Sequence, residues 1–345
     1  MNTNGTHRVQ AGFTLVELMV ALLLGLLVIG AAGSLFLSNR RVYGSTEAVN
    51  RIQENQRTAF ELMARDIREA GGNPCTRNVV NMLDVSKPSG SYWTDWGNGV
   101  SGTEGTGGAP DSITLSLANG ASIAVTSNDD PSANIGVAST AGLSTGDILM
   151  VCNAEVAAIF QVTGLPSGSI QHNSGSGDPG NLEKPFQLDQ KTFDSNPSGN
   201  ASGYCYLPNT ASPNPNCLNQ PSNSPTQVIK PVAVRWYLAG NGRGGTSLYR
   251  QEIGNGGKSV QTPGEIAEGV TDMQIAYKID GANSFVAATA VAPDQWKQVI
   301  AVSLVLTVEA VSGAMSNSDT RGTGGAVMAR SLTDVITLRN HVSVQ

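Results

Sequence analysis

A single long apolar segment constrains the fold more than any other feature of the sequence. No residue from Leu18 to Asn39 is charged, and most are Leu, Val, Ile, Ala, Gly or Phe. A helix of this length is long enough to cross the hydrocarbon core of a membrane, which is about 30 Å thick. The segment therefore predicts a membrane-spanning helix close to the N-terminus.

One acidic residue, Glu17, stands at the start of this segment. A carboxylate in hydrocarbon costs roughly 2.5–3.5 kcal/mol on insertion scales, so such a residue is a candidate functional residue. The residues alone leave two interpretations open. Glu17 lies at the headgroup boundary of an uncleaved signal anchor, because no small-residue cleavage site ends the segment. Alternatively, it pairs with a cation that an assembly partner supplies.

The helical pattern continues beyond the apolar segment. A mainly apolar set of residues recurs at steps of three and four positions, as expected for one face of a helix: Val42, Thr46, Val49, Ile52, Gln56, Phe60, Met63, Ile67 and Ala70. No proline interrupts residues 13–70, and Gly71-Gly72 followed by Pro74 ends the pattern. The sequence predicts one helix from Phe13 to Ala70, apolar on all sides over 13–37 and amphipathic over 38–70.

The rest of the chain, residues 71–345, has the pattern of a β-rich globular domain. Alternating apolar residues predict strands in seven segments, which are 112–126, 147–151, 158–163, 233–252, 270–279, 299–309 and 326–340. Asn119-Gly120 and Asn241-Gly242 predict hairpin turns in two of them. Residues 164–227 are rich in Gly, Pro, Ser and Asn and predict a loop-rich insertion. The fold class that follows is α+β, with the helix packed on an antiparallel sheet.

Four cysteines lie after the apolar segment, and none forms a CxxC or CxxH pair: Cys75, Cys152, Cys205 and Cys217. This pattern favours two disulfides in an oxidising compartment over a metal site. Three pairings are open. We favour Cys205–Cys217, which are close in the chain, and therefore Cys75–Cys152.

Charge and motif content narrow the function. The net charge is −6, from 21 basic and 27 acidic residues, and no basic stripe is present that could neutralise nucleic-acid phosphates. No HExxH motif occurs, and the three histidines are far apart. Asp129-Asp130 is more typical of a solvated turn than of a calcium loop. We therefore expect no enzyme activity, no cofactor, no metal and no nucleic-acid partner.

The segment GFTLVELMVALLLG, residues 12–25, resembles the processing site and N-terminal helix of type IV pilins. The resemblance implies that a prepilin peptidase cleaves after Gly12 and methylates the new amine of Phe13. Glu17 would then be the fifth residue and would pair with a Phe13 amine. Major pilins usually have a helix-kinking proline in the apolar half, where this chain has only Gly25, Gly30 and Gly33.

Three further segments are similar to PilW-type minor pilins, which resemble the J pseudopilin of type II secretion. They are RIQENQRTAFELMARDIREAGGNPC (51–75), GVTDMQIAYKID (269–280) and RSLTDVITLRN (330–340). The resemblance implies a type IV pilin-like fold and a minor pilin that primes pilus assembly and lies at or near the pilus tip. Expected partners are other minor pilins, the major pilin and a tip adhesin.

The same resemblance implies a location. Before assembly, the chain would be anchored in the inner membrane with its C-terminal domain in the periplasm, and afterwards it would lie at the pilus tip on the cell surface. Two alternatives remain open. The chain is a J-like minor pseudopilin of type II secretion, or a membrane-anchored periplasmic enzyme or binding protein.

Overall fold

The structure is a computed structural model. It describes residues 12–71, 75–76, 79–87, 93, 96–131, 133–175, 177–182, 204–208, 211, 214, 217, 225–253, 262–311, 320–322 and 324–339. The chain divides into two compact units. One comprises residues up to Arg51 together with Ala310–Met328, and the other comprises Ile52–Glu309 and the residues from Ala329 onward.

A single α-helix, α1 (Leu15–Glu69), begins and ends within two residues of the predicted bounds. It continues without a break through Gly25, Gly30 and Gly33, so the glycines in the apolar half do not interrupt it. At its C-terminus, Gly71 takes a φ of 68°, a left-handed conformation that commonly ends helices and that glycine adopts without a Cβ clash. The backbone N–H of Gly71 donates to the carbonyl of Ser116, 2.9 Å away.

The predicted apolar stripe is buried only from Ile52 onward. Ile52, Met63, Ile67 and Ala70 are all buried, as predicted. Val42 and Val49 are exposed, so the prediction was wrong for the start of the stripe. The buried part therefore begins later along the helix than the apolar spacing indicates.

The described residues contain fourteen strands. They are β1 (Val79–Asn81), β2 (Val100–Thr103), β3 (Ser112–Ser127), β4 (Ile135–Val137), β5 (Ile148–Cys152), β6 (Ala157–Gln161), β7 (Ser169–Ile170), β8 (Gln227–Gly240), β9 (Thr246–Ile253), β10 (Gly264–Glu268), β11 (Val270–Ile279), β12 (Val286–Ala287), β13 (Val299–Glu309) and β14 (Ala329–Thr337). The predicted strands at 147–151, 158–163, 270–279, 299–309 and 326–340 correspond to β5, β6, β11, β13 and β14.

Strands β1 to β10 form the larger sheet, in which β8 is central. One edge of β8 pairs with β3, and its other edge pairs first with β5 and then with β9. All pairs are antiparallel except β1 with β6. The β8–β9 hairpin turns at Asn241-Gly242, where Gly242 has a φ of 72°, as predicted from that dipeptide.

The predicted hairpin at Asn119-Gly120 is wrong. Residues 112–127 form one continuous strand, β3, which pairs with β8 on both sides of this dipeptide. Asn119 pairs with Lys230 and Ile123 with Val228, so the register shifts at this point. Because β8 is long enough to pair with the whole segment, the extra residues form a β-bulge instead of a turn.

Strands β11 to β14 form the second sheet, in the order β12-β11-β13-β14 and antiparallel throughout. Alternate residues of β11 are buried, namely Met273, Ile275, Tyr277 and Ile279. The predicted fold class, α+β with one long N-terminal helix and an antiparallel β-sheet body, is confirmed. The body contains two sheets in place of one.

Part of the predicted insertion, residues 164–227, belongs to the core of the larger sheet. Tyr204 and Tyr206 are buried in the same apolar cluster as Leu149, Val151 and Phe160. The backbone N–H of Tyr206 donates to the side-chain oxygen of Asn128, 2.8 Å away. Residues 183–203 of the insertion lie outside the described part of the chain. The other domain bounds predicted from the sequence remain predictions.

Candidate functional site

The first turn of α1 is closed by a reciprocal pair of hydrogen bonds between Thr14 and Glu17. The backbone N–H of Glu17 donates to Thr14 Oγ1 at 3.3 Å, and the backbone N–H of Thr14 donates to Glu17 Oε2 at 3.2 Å. The Thr14 hydroxyl also lies 3.2 Å from Oε2. This arrangement is a capping box, which satisfies N–H groups that lack partners at a helix start.

The residues around this capping box are accessible. The Phe13 side chain is 88% exposed, and a Cβ added at Gly12 would meet no atom within 4 Å. Only Oε2 of the Glu17 carboxylate accepts a hydrogen bond from a residue that the structure describes. The other oxygen, Oε1, is therefore available to a further donor. Gly12, Phe13 and Glu17, which the sequence singled out, lie together at the start of one helix.

The apolar half of α1 presents its side chains to the surroundings on all sides. Every large apolar residue from Phe13 to Leu37 is more than half exposed. In the described residues, α1 is the one helix that is long and apolar enough to cross a membrane. Contiguous exposed apolar surface of this kind marks a membrane or protein contact.

The second half of α1 is joined to the β-sheets through a buried carboxylate, Asp66, whose side chain is only 2% exposed. Its Oδ2 accepts from Trp236 Nε1 on β8 at 3.1 Å and from Arg250 Nε on β9 at 2.7 Å. Arg250 also contacts Glu252 at 3.4 Å. A buried charge is tolerated when it is paired and hydrogen-bonded, so Asp66 links helix and sheet in one geometry.

Side chains and backbone groups near Asp66 extend the same attachment. Asn55 donates to the carbonyl of Glu268 at 2.9 Å, and Gln56 donates to the carbonyl of Arg330 at 3.1 Å. The backbone N–H of Arg339 donates to the carbonyl of Arg68 at 3.2 Å. The amphipathic half of the helix is thus hydrogen-bonded to both sheets of the body.

Both disulfides favoured from the sequence are present in the structure. Cys75–Cys152 joins the segment after the helix to the end of β5, and Cys205–Cys217 closes a loop of the insertion. Within that loop, Asn214 donates to the carboxylate of Asp130 at 2.8 Å. The acidic turn at Asp129-Asp130 is therefore linked to the disulfide loop.

Tyr204 lies beside the disulfide loop. Its hydroxyl donates to Glu155 at 2.8 Å and accepts from Asn153 at 2.7 Å. Burial raises the pKa of the Tyr204 hydroxyl, and hydrogen bonding to Glu155 raises that pKa further. This phenol is therefore a neutral structural group at physiological pH.

Among the described residues, no group of three His, Cys, Asp or Glu side chains is close enough to bind a metal ion. His172 is buried, and its Nε2 lies 3.0 Å from the carbonyl of Ala133. Burial lowers the pKa of the His172 ring. The other two histidines, His7 and His341, lie outside the described residues. The four tryptophans, which are Trp93, Trp96, Trp236 and Trp296, are buried.

Two family models match the sequence. The model of type IV pilus-assembly protein W, PilW, matches residues 235–340, and the prokaryotic N-terminal methylation motif matches residues 7–33. Residues 235–340 are therefore similar to the PilW family, and residues 7–33 are similar to prokaryotic N-terminal methylation motifs. The PilW match includes Trp236 and Arg250, which contact Asp66, and the methylation motif includes Gly12, Phe13 and Glu17.

Comparisons with individual proteins add little to these matches. No curated protein sequence matches the chain. Among solved structures, the chain is similar to the type IV-like pilin TTHA1219 from Thermus thermophilus, at 9% identity and a TM-score of 0.33. That similarity covers 85% of this chain and 98% of the Thermus chain.

Two residues of the site were missed from the sequence. Thr14 carries a readable signal, because Thr-x-x-Glu before an apolar run is the pattern of a capping box. Asp66 carries a weaker one, as an acidic residue adjacent to Ile67 on the otherwise apolar stripe. The N-terminal methylation motif and the apolar helix are consistent with membrane anchoring and a place in a pilus.

Proposed function

We propose that the chain primes type IV pilus assembly as part of a minor-pilin complex at or near the pilus tip. In this proposal, a prepilin peptidase cleaves after Gly12 and methylates Phe13, and Glu17 then pairs with a Phe13 amine. The role is structural and requires no catalytic residue or cofactor. Before assembly, the body lies in the periplasm and α1 lies in the inner membrane.

The geometry at the start of α1 carries the proposal. The available Oε1 of Glu17 lies one helical turn from the position that cleavage would convert into an ammonium group. A carboxylate that leaves a hydrated environment for an apolar bundle is stabilised by a positive partner. The exposed apolar surface from Phe13 to Leu37 supplies contacts for like helices.

The part of α1 that follows Ile52 is attached to the sheets of the body. Asp66, Arg250 and Trp236 fix the amphipathic half of the helix to the larger sheet. The other minor pilins and the major pilin would contact the apolar half, and a tip adhesin would contact the body.

One alternative, a J-like pseudopilin of type II secretion, would use the same helix in another machine. The match of residues 235–340 to a pilus-assembly family favours the pilus. Co-purification from native membranes separates the two. Recovery of pilus minor pilins supports the proposal, whereas recovery of secretion pseudopilins alone contradicts it.

Mass spectrometry of the mature N-terminus tests the processing step. We expect a chain that begins at methylated Phe13. An intact Met1 in cells with an active prepilin peptidase would contradict the proposal.

Replacement of Glu17 tests the assembly step. We expect Glu17→Val to be processed normally but to be lost from the minor-pilin complex and from pili. Glu61→Val, which removes an exposed carboxylate from the same helix, serves as the matched control. Normal piliation with Glu17→Val as the only copy would show that the carboxylate has no role in assembly.

Antibody labelling of the body along the pilus shaft, rather than at its end, would contradict the tip location.

A further inference from the structure

Arg40 and Arg41 are the first charged residues after the apolar segment and extend from the exposed part of α1. Neither forms an ion pair with any residue in the described ranges. The arginines farther along the helix differ, since Arg51 pairs with Glu47 and Arg57 pairs with Glu61, at 2.9 and 2.7 Å. Two adjacent guanidinium groups are thus available for an anionic partner outside the chain.

The distance along the helix indicates where this partner lies. At about 1.5 Å per residue, the unbroken helix separates Glu17 from Arg40 by roughly 35 Å. The hydrocarbon core of a bilayer is about 30 Å thick. When the segment between these residues spans a membrane, Glu17 reaches one headgroup layer and Arg40 reaches the other.

An aromatic side chain marks the same level of the helix. Tyr43 follows Arg40 by one helical turn, so the two lie on one face, and Tyr43 is 78% exposed. Tyr and Trp are enriched at membrane–water interfaces, where an apolar ring and a polar hydroxyl both find suitable surroundings. The combination of Arg40, Arg41 and Tyr43 fits a headgroup layer better than it fits bulk water.

We propose that Arg40, Arg41 and Tyr43 bind anionic phospholipid headgroups on the far side of the membrane from the N-terminus, and that they fix the depth of the helix. The inference rests on the membrane anchoring in the proposed function. The inference also implies where the Glu17 side chain lies before assembly. The carboxylate lies in the opposite headgroup layer, where water and headgroup amines solvate it. The Glu17 carboxylate then requires a Phe13 amine only after the subunit leaves the bilayer.

Native mass spectrometry of the full chain in lipid nanodiscs tests the lipid contact. The nanodiscs contain equimolar phosphatidylethanolamine and phosphatidylglycerol, and the measured quantity is the ratio of the two lipids retained by the protein. Each guanidinium near an anionic surface contributes about a fivefold preference, so the variant R40Q/R41Q should lose about thirtyfold of the preference for phosphatidylglycerol. R40K/R41K should retain most of it.

The double variant R51Q/R57Q is the matched control, because it removes two arginines of the same helix that are paired within the chain. We expect its lipid ratio to equal that of the unmodified chain. An unchanged ratio in R40Q/R41Q would overturn the proposal. So would loss of co-purifying minor pilins in R40Q/R41Q without a change in lipid, since the two arginines would then belong to a subunit interface.

Alkaline carbonate extraction and the N-terminal mass distinguish this inference from the proposed function. A chain that is processed at Phe13 and resists extraction, yet shows no lipid preference, contradicts only the lipid contact. A chain that carbonate releases from membranes contradicts both.

Discussion

The carboxylate of Asp66 provides a quantitative test of how α1 is held on the sheets. Replacement by Asn preserves the shape of the side chain and removes the charge that pairs with Arg250. Breaking a buried ion pair by removing one partner costs about 3–5 kcal/mol, because the remaining charge is uncompensated. Arg250 is a quarter exposed and keeps its contact with Glu252, which reduces this cost. We therefore expect Asp66→Asn to lower the free energy of unfolding by about 2–3 kcal/mol.

Urea unfolding of the full chain in detergent, followed by tryptophan fluorescence, measures the change, because Trp236 donates to Asp66 itself. Glu61→Gln is the matched control on the same helix. It breaks an exposed pair with Arg57 and should change the free energy of unfolding by no more than about 0.5 kcal/mol.

A double variant separates the ion pair from other effects. Arg250→Met combined with Asp66→Asn should cost less than the sum of the two single changes, because neither charge is left buried alone. If Asp66→Asn and Glu61→Gln cost the same, the buried carboxylate does not hold the helix on the sheet.

Three further changes test separate features. Thr14→Ala removes one half of the capping box, so amides in the first turn of α1 should exchange about fivefold faster, whereas Thr14→Ser should not differ from the unmodified chain. Gly102→Ala places a Cβ against the buried Tyr277 hydroxyl and should destabilise the fold by about 1–3 kcal/mol in the urea assay. Gly322→Ala, which meets open space, should not. Burial lowers the pKa of His172 in the folded chain, so the unfolded chain binds the proton more tightly. The free energy of unfolding should therefore fall as the pH falls below about 6.5. His172→Gln should remove that part of the pH dependence.

The elements that sequence predicted well are those with a local and repetitive signal. The bounds of α1 follow from the 3.6-residue period, the absence of proline and the glycines at its end. Strands β11 and β13 follow from strict alternation. In the two strands the pattern and the buried face agree, because each strand contributes one apolar face to the core.

The prediction of a hairpin at Asn119-Gly120 was wrong because the turn signal depends on neighbouring residues, whereas strand pairing depends on residues that are distant in the sequence. The dipeptide is compatible with a two-residue turn, but β8 offers partners for β3 on both sides of it. Pairing with a long neighbouring strand outweighed the turn preference. Strand β8 begins more than a hundred residues after β3 begins, so the local pattern around Asn119-Gly120 does not indicate this pairing.

The attachment at Asp66 was not predictable for a similar reason. An acidic residue beside an apolar stripe does not indicate its partners, and Trp236 and Arg250 lie 170 and 184 residues away in the sequence. The cluster at Glu17 was easier, since Gly12, Phe13, Thr14 and Glu17 are adjacent in the chain. The structure adds the hydrogen bonds between Thr14 and Glu17.

The disulfide between Cys75 and Cys152 has a mechanical consequence. For a subunit held by its N-terminal helix, a pull reaches the body first through the contacts of Asp66 and, once these break, through the segment that contains Cys75. The bond joins this point directly to β5 and bypasses 77 residues of chain. Fully extended, those residues would add roughly 260 Å of length. With the bond intact, a body that unfolds under tension cannot release that length. The unfolded body therefore extends less, and the segment that contains Cys75 stays bonded to β5.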